Sequence, residues 1–361
     1  MKRLQNFLWF LYECFAFYTL IVYALIFWIP FDGWLAGFMM MSFPVVMIIH
    51  VISVPVWYIF GKKKALLPIA MLLLGCLFLP RTFAFGHEPE SNASGNTFSI
   101  MNYNTHFFMR NSEPQHHPEV KEAIEVMKAW VANSGADVLC MPEYYEDHKK
   151  TFNLREVLSN AGYKYNSKFK IDEHKQQNHY EGVIMYSKYP IISSRDTVFE
   201  AQNGMIQIDI KIRQDTVRVI GVHLYSMMLN LSKLANQKKM KGIKRESKFT
   251  FERMKSGFLQ RSTEVAILES WIEDSPYPVI ACGDFNEVPY GYVYGRLKKT
   301  MNNAFEEKGR GFGFTFKNLP YFIRIDHQFY TPKSLAPLDF ETFKVNYSDH
   351  YPVMGKYLIK K

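Results

Sequence analysis

Three apolar runs in the N-terminal part of the chain constrain its fold more than any other feature. They cover residues 7–29, 34–60 and 65–80. A bilayer core requires about 20 residues of helix, so the first two runs are long enough to span a membrane. The third run is shorter and is bounded by Pro68 and Arg81. The first run is too long for a signal peptide and a second span follows it, which leaves buried core helices as the alternative.

Basic residues predict how these spans are oriented. Lys2 and Arg3 precede the first span, three lysines at residues 62–64 follow the second, and the loop between these two spans has no basic residue. Because cytoplasmic loops carry an excess of Lys and Arg, both clusters are expected in the cytoplasm. With three spans, everything after residue 85 lies outside the cytoplasm, in the periplasm if the protein resides in an inner membrane. With two spans, the rest of the chain would return to the cytoplasm.

A polar linker divides the chain into two units. Residues 86–97 are rich in Ser, Asn and Gly without periodicity, which is typical of a linker. The N-terminal unit, residues 1–85, is therefore expected to be a membrane anchor. In the C-terminal unit, residues 98–361, strand and helix patterns alternate, and residues 204–221 predict a hairpin that turns at residues 213–215. This mixture favours an α/β fold of two packed sheets flanked by helices over a doubly wound parallel sheet.

Polar side chains follow nearly all of the predicted strands. In the stretch VIACGDFNEVP, alternation along the strand places Asp284 and Asn286 on one face. Any one such residue is explained by a turn or by a hydrogen-bonded histidine at the edge of a core. Together they indicate one site, because buried charges are unfavourable unless they meet a partner or a metal. The candidates are Asn104, Glu143, Glu181, His223, Asp284, Asn286, Asp326, Asp349 and His350.

The residue types in this set suit the hydrolysis of a phosphate ester. Carboxylate and other oxygen ligands favour Mg²⁺ or Mn²⁺ as the cofactor. Such an ion offsets negative charge at phosphorus, and a histidine can transfer a proton or hold a phosphoryl oxygen. Zinc is disfavoured because no cysteine pair has ligand spacing, and nucleotide-driven transfer is disfavoured because no glycine-rich phosphate loop is present.

The motifs resemble, in their order, those of the endonuclease/exonuclease/phosphatase superfamily over roughly residues 97–361. They are MNYNTH, PEYY, GVIMYSKYPI, GVHL, GDFNEVP, RIDHQF and SDHYP. Each motif alone is weak, whereas the ordered combination is specific. The resemblance, to a bacterial-type membrane-anchored member, implies a deoxyribonuclease I-like two-sheet sandwich and a metal-dependent hydrolase acting on ester bonds.

The resemblance also implies roles at the metal and at the catalytic histidine. Glu143 would be the main metal ligand, with Asn104 and Asp349 near it. His350 would be the catalytic histidine, oriented by Asp326.

Further roles follow from the same resemblance. Asp284 and Asn286 would hold the attacking water and the phosphate. His223 matches the second histidine of the deoxyribonuclease and sphingomyelinase branches, and Glu181 resembles the carboxylate that orients it. One position departs from the pattern, since Pro142 stands where a glutamine commonly precedes the metal-binding glutamate.

The sequence leaves the substrate and the oligomeric state open. A basic insert, residues 233–255, contains nine Lys or Arg and two acids. It suits a solvated surface, an anionic membrane or a nucleic-acid backbone. Membrane anchoring favours the bilayer as partner and a lipid headgroup or similar extracytoplasmic phosphodiester as substrate. The alternatives are a Mg²⁺-dependent nuclease acting on nucleic acid and a non-catalytic membrane-anchored binding module.

Overall fold

A computed structural model provides the fold of the chain. The residues that it describes are 2–86, 95–147, 150–170, 179–227, 233, 236–237, 240–318 and 321–360. Most of the predicted linker and two lysines of the basic insert, Lys238 and Lys239, lie outside these ranges. The helices in the described residues are α1 (Lys2–Trp28), α2 (Trp34–Met41), α3 (Phe43–Phe60), α4 (Leu66–Gly75), α5 (Leu79–Thr82), α6 (Pro118–Ala132), α7 (Arg155–Asn160), α8 (Met240–Glu273), α9 (Tyr292–Leu297) and α10 (Ala304–Lys308).

Two mixed six-stranded sheets and one short ribbon make up the β structure. The strands are β1 (Ala84–Phe85), β2 (Thr97–Asn102), β3 (Val138–Asp147), β4 (Tyr165–Lys168), β5 (His179–Ser187), β6 (Ile191–Glu200), β7 (Asn203–Ile212), β8 (Asp215–His223), β9 (Val279–Asp284), β10 (Asn302–Asn303), β11 (Arg310–Gly311), β12 (Asp326–Tyr330), β13 (Leu335–Thr342) and β14 (Val353–Ile359). One sheet has the order β13-β14-β2-β3-β5-β4 and the other β10-β12-β9-β8-β7-β6, while β1 pairs with β11.

Each large sheet contains one parallel pair, β2–β3 or β8–β9, among antiparallel neighbours. A parallel pair requires a crossover, which α6 and α8 provide. Their apolar faces are buried, as Met127 of α6 and Leu268 of α8 show. The predicted hairpin is present, with Ile212 opposite Asp215 and a left-handed Arg213 in the turn. These observations confirm the α/β two-sheet sandwich flanked by helices.

The two sheets approach closely beneath the strand ends that carry the polar motifs. A Cβ atom on Gly221 would lie 2.7 Å from Cys140 Sγ of the opposite sheet, so only glycine fits there. The parallel pairs end at the same edge, since His223 pairs in register with Asp284 while Asn102 Nδ2 donates to the carbonyl of Gly283 in the other sheet at 3.4 Å. This edge therefore collects side chains from both sheets.

The N-terminal helices differ in part from the expected spans. The helices α1 and α3 are long and apolar enough to cross a membrane. The run at residues 34–60 is divided at Ser42, because Pro44 has no N–H to continue the helical hydrogen bonds. The run at residues 65–80 forms a shorter apolar helical segment, Leu66–Thr82, about 25 Å long by helix geometry.

One end of this helical bundle carries the basic clusters. Lys64 Nζ lies 4.9 Å from the ring centre of Trp9 and 5.5 Å from that of Trp57. Gln5 Nε2 donates to the carbonyl of Phe60 at the same end. The start of α1 and the end of α3 are thus adjacent.

The opposite end of the bundle packs on the C-terminal unit. The ring centre of Phe43 lies 4.5 Å from that of Tyr290 and 5.5 Å from that of Phe78. The hydroxyl groups of Tyr290 and Thr82 are 2.7 Å apart. Tyr290 directly follows the GDFNEVP motif, so the N-terminal helices contact the segment that follows Asp284.

A second contact joins α2 to α8. Phe38 stacks on Phe251 with ring centres 5.0 Å apart and meets Phe258 edge-on at 5.3 Å. Lys255 Nζ lies 5.3 Å from the ring centre of Trp34. The basic insert is helical from Met240 onward, and its Phe251 packs on α2 while Phe249 stays about half exposed.

We expect Tyr290→Ala to lower the free energy of unfolding by about 3 kcal/mol, because a buried aromatic ring is lost at the contact between the units. Tyr290→Phe removes only the bond to Thr82 and should lower it by about 1 kcal/mol. Unfolding of the full chain in detergent micelles measures both. Tyr165→Ala, at a tyrosine 38% exposed on β4, is the matched control. Equal stability of Tyr290→Ala and this control would contradict the packing.

Candidate active site

The edge that collects the strand ends holds a buried histidine between two carboxylates. His350 Nδ1 lies 2.8 Å from Asp326 Oδ2, and its Nε2 lies 3.7 Å from Asp284 Oδ2. All three side chains are buried. Burial alone would lower the pKa of His350, but the charges of Asp326 and Asp284 outweigh it and raise the pKa to about 10. Burial raises the pKa of Asp284, and the charge of His350 opposes this.

Glu143 lies at the more open side of the cluster. Its side chain is 17% exposed, and its backbone is left-handed with φ 49° at an irregularity of β3. Burial would raise the pKa of Glu143, but His106, His223 and Asn104 lower it to about 2. The preceding Pro142 lies within this irregularity, where its missing N–H interrupts no ladder bond, and its carbonyl accepts from Thr105 N at 3.0 Å.

Asn104 links the open side to the buried carboxylates. Its Nδ2 donates to Glu143 Oε1 at 3.1 Å and to Asp284 Oδ2 at 3.0 Å, while its Oδ1 accepts from His106 N. An amide nitrogen cannot bind a cation. In this arrangement Asn104 fixes the spacing of two carboxylates, and its predicted place beside the metal stays a prediction.

His106 is a site residue that the sequence reasoning missed. Its Nδ1 lies 3.6 Å from Glu143 Oε2 and 3.4 Å from Asp349 Oδ1. The interaction with Glu143 is the main reason that the pKa of His106 is raised. A histidine two residues after Asn104 in the motif MNYNTH was the available signal.

Asn286 and His223 lie beside the two carboxylates Asp284 and Glu143. Asn286 N donates to Asp284 Oδ1 at 2.8 Å, and its side-chain amide donates to the carbonyl of Leu224 at 3.0 Å. His223 Nε2 lies 3.6 Å from Glu143 Oε1. Both buried ring nitrogens of His223 lack a hydrogen-bond partner within the described ranges. Such unsatisfied groups indicate a place for a ligand or water.

Glu181 has other partners than the one predicted. Its carboxylate pairs with Arg110, and its Oε1 lies 3.6 Å from His179 Nε2. Glu181 stands opposite Tyr145 on β3, beyond Glu143 and near the outer end of β5. In this arrangement Glu181 pairs with Arg110 at the rim of the site, and its predicted role in orienting His223 stays a prediction.

The residues fit a hard divalent cation. Glu143 and Asp349 offer carboxylate oxygens on either side of the His106 imidazole, a position that favours positive charge. Glu143, His223 and Asp284 also place ligand atoms within 4.8 Å of one another, as do Asp284, Asp326 and His350. Oxygen-rich sets of this kind suit Mg²⁺ or Mn²⁺.

This fold and site define a class of hydrolases that act on phosphate esters. A model described as the Endonuclease/Exonuclease/phosphatase family matches residues 101–350, and the chain belongs to that family. The protein is therefore a hydrolase of ester bonds, of the phosphodiesterase and nuclease class, which weighs against a non-catalytic binding module. A second model, a domain of unknown function (DUF8431), matches residues 5–82. A comparison with curated protein sequences finds no match.

Solved structures of low sequence identity share the fold. TDP2 of D. rerio, humanized by 14 mutations, has a TM-score of 0.52 at 12% identity, over 73% of this chain and 99% of that chain. The endonuclease/exonuclease/phosphatase from Beutenbergia cavernae has a TM-score of 0.49 at 14% identity, over 73% and 72% of the two chains. The human Nocturnin catalytic domain with bound sulfate has a TM-score of 0.49 at 16% identity, over 73% and 94%.

Proposed function

We propose that the protein is a membrane-anchored, metal-dependent phosphodiesterase. It hydrolyses the phosphodiester bond of a lipid headgroup on the extracytoplasmic side of the membrane. The observation that most supports the chemistry is the buried group of His350, Asp326 and Asp284 beside the more open Glu143. A protonated histidine beside ionisable carboxylates suits a phosphate centre, which gains negative charge as water attacks.

His350 supplies positive charge to the phosphoryl oxygens. Asp326 binds its Nδ1, so that Nε2 is left for the substrate. With a pKa of about 10, His350 is protonated at neutral pH. It therefore stabilises the developing charge and can protonate the leaving oxygen, but it does not accept the proton of the attacking water.

Asp284 takes that proton. Burial raises the pKa of its carboxyl, which makes the carboxylate a stronger base. The bond from Asn286 N to Oδ1 holds one oxygen and leaves Oδ2 facing His350 and Asn104. The side chains of Asn286 and His223 then position the water and the phosphate.

Glu143 and Asp349 would hold the divalent cation, with Asn104 keeping Glu143 at a set distance from Asp284. When bound, Mg²⁺ or Mn²⁺ would neutralise charge on the phosphate. The lowered pKa of Glu143, about 2, keeps its carboxylate ionised at neutral pH. With a cation bound by Glu143 and Asp349, the open side of the site would be the side that receives an anionic substrate.

The helical bundle supports an extracytoplasmic location for residues 98–361. The clusters of Lys and Arg lie at the end of the bundle near Gln5 and Phe60. The C-terminal unit packs on the opposite end, near Phe43 and Thr82. Because basic ends face the cytoplasm, this arrangement favours three spans.

A reporter fused after Lys361 tests the topology. We expect alkaline phosphatase, which requires an oxidising compartment, to be active at this position and a cytoplasmic fluorescent reporter to be dark. A fusion after Lys64, between the second and third spans, is the matched control and should show the reverse. The opposite pattern would place the site in the cytoplasm.

The first half of α8 favours an anionic surface as partner. Lys241, Lys244 and Lys248 are exposed there, while Phe251 and Phe258 pack on α2. The same charges would suit a nucleic-acid backbone, which keeps a nuclease as the second candidate. Because α8 packs on α2, one of the N-terminal helices, we favour the membrane surface as the partner of these lysines.

Neutralising these three lysines with glutamine should raise KM on vesicles of anionic phospholipid by about fivefold or more, since each basic residue near such a surface contributes attraction. The kcat on a small soluble phosphodiester should not change. The matched control is the triple variant Lys299→Gln, Lys333→Gln and Lys356→Gln, with exposed lysines on other surfaces. An unchanged KM and salt response would show that the helix is only a solvated surface.

The substrate proposal is tested with the full chain reconstituted in vesicles. Sphingomyelin, phosphatidylinositol and phosphatidylglycerol are presented in the membrane with Mg²⁺, and DNA and RNA are presented in solution. We expect release of a water-soluble phosphorylated headgroup from at least one lipid. Cleavage of nucleic acid without hydrolysis of any lipid would favour the nuclease.

A further inference from the structure

A group of exposed and partly exposed aromatic side chains lies between the N-terminal helices and the active site. We call it the aromatic patch, and its members are Phe83, Phe85, Phe312, Phe314, Tyr321 and Phe322. Phe85 is 79% exposed and Phe322 72%, while Tyr321 and Phe312 are about half exposed. Exposed apolar surface on this scale marks an interaction site.

The patch is ordered by contacts among its own members. Phe83 meets Phe312 at 5.1 Å, Phe312 stacks on Phe314 at 5.2 Å, and Phe314 meets Phe322 at 5.9 Å between ring centres. The pairing of β1 with β11 fixes the two segments relative to each other. The rings therefore present one continuous surface.

One side of the patch begins where the last apolar helix ends. Phe83 follows Thr82 directly. Phe85 lies three residues after Thr82, a distance of at most about 10 Å along the chain. Exposed apolar residues of the preceding segment, such as Leu77, lead up to it. If this helix crosses the bilayer, Phe83 and Phe85 lie at the level of the lipid headgroups.

The other side of the patch adjoins the catalytic histidine. Phe316 follows Phe314 by two residues, and its ring lies 5.1 Å from the ring of His350. The backbone of Phe316 bridges both Ile323 and His350. The rings thus extend from the end of the membrane helix to the site of phosphate chemistry.

We infer that the aromatic patch lies in the headgroup region of the same membrane that holds the N-terminal helices. Aromatic side chains are favoured in this region, and the surface closest to the patch is that bilayer. The inference rests on the proposed function and narrows it: the substrate is a lipid of the same membrane, cleaved at headgroup level. A soluble phosphodiester would not require the patch.

A nitroxide label at residue 322 tests the contact without requiring activity. Phe322→Cys is labelled in the full chain with Cys14 and Cys76, the exposed cysteines, replaced by alanine, and is placed in nanodiscs of phosphatidylglycerol and phosphatidylcholine. We expect the label to collide more with oxygen than with a water-soluble nickel chelate. Ile192→Cys, at a residue 54% exposed on β6, is the control and should show the reverse.

The control position lies far from the membrane contact. The neighbouring Arg195 pairs with Asp274 at 2.9 Å, just beyond the last residue of α8. Asp274 is about 35 Å along the helix from Phe251, where α8 meets α2. A label at residue 322 as accessible to nickel as the label at residue 192 would overturn the inference.

A second measurement uses turnover. Replacing Phe85, Phe312 and Phe322 together by serine should lower hydrolysis of a lipid in vesicles about tenfold or more, because apolar burial in the interface is lost. Hydrolysis of a monomeric short-chain lipid with the same headgroup should not change. The triple serine variant at Val126, Ile192 and Val198, all exposed elsewhere, is the control. Equal loss on both substrates would overturn the inference.

The two proposals fail in different ways. A label at headgroup depth in a protein that cleaves no lipid would contradict the proposed function and support the contact. A label in water in a protein that cleaves vesicle lipid would contradict the contact and support the function.

Discussion

Replacing His350 by alanine is expected to lower kcat for phosphodiester hydrolysis about a thousandfold or more. The substitution removes the positive charge that faces Asp284 and the phosphate. Since that charge acts chiefly in the transition state, kcat and kcat/KM should fall together while substrate binding persists. Steady-state kinetics on a small soluble phosphodiester and on a lipid in vesicles measure both.

Stability must be separated from catalysis in this experiment. Without His350, Asp326 and Asp284 are two buried carboxylates that have lost their partner, which is strongly destabilising. His350→Asn keeps polarity and much of the volume without the charge, and its kcat should fall as far. His117→Ala, half exposed and paired with Glu119, is the control and should retain full activity. Wild-type kcat in a folded His350→Asn variant would exclude the assigned role.

Replacing Glu143 by glutamine is expected to lower kcat/KM about a hundredfold or more and to shift the dependence of rate on Mg²⁺ to higher concentration. Glutamine keeps the shape of the side chain but removes the charge that His106 and Asn104 surround. A titration of the rate with Mg²⁺ and with Mn²⁺ measures the shift.

Glu146→Gln is the matched control for Glu143. Glu146 lies three residues further along β3, with its side chain also partly buried and paired with Arg155 at 3.1 Å. Its loss should change the rate within about twofold, because its partners are Tyr144 and Arg155 and not the site residues. An unshifted Mg²⁺ dependence in Glu143→Gln would contradict its assignment as a metal ligand.

The central strands could be predicted from the sequence and the edge strands could not. The strands β7, β8 and β9 are almost entirely buried, so their apolar runs are long and unambiguous. The strands β4, β6 and β13 lie at sheet edges, and β4 and β6 are largely exposed, with no clear apolar alternation. In β13, Pro337 stands next to a register shift, a place where an edge strand tolerates proline.

The meeting of the site residues at one edge was predictable in part, because Asn104, His223 and Asp284 lie at or just beyond the ends of buried strands. Asn104, Glu143, His223, Asp284 and His350 all meet there. His106 was missed although it stands in the motif MNYNTH, because residues 106–109 have left-handed backbones that no sequence pattern indicated and that turn its side chain toward the site. The pairing of Glu181 with Arg110 was not predictable, because the resemblance fixes a position along a strand and not which arginine reaches the carboxylate.

The contact between the two units could not be read from the sequence. Phe38 and Phe251 are more than 200 residues apart, and nothing in either segment specifies the other. The same holds for Phe43 and Tyr290. The proposed division at residues 86–97 is therefore a division of the sequence. In space, the N-terminal helices pack against the segment that follows Asp284.

Hydrolysis of a small soluble phosphodiester by the purified full chain tests the central claim most directly, because it requires the metal site and His350 but no membrane substrate. The assay compares wild type with Glu143→Gln and His350→Asn, in Mg²⁺, in Mn²⁺ and in excess chelator. We predict metal-dependent turnover by wild type, its loss in chelator, its recovery when the ion is restored, and near-absence in both variants. Undiminished turnover in chelator, or equal turnover by the three proteins, would contradict a metal-dependent phosphodiesterase at this site.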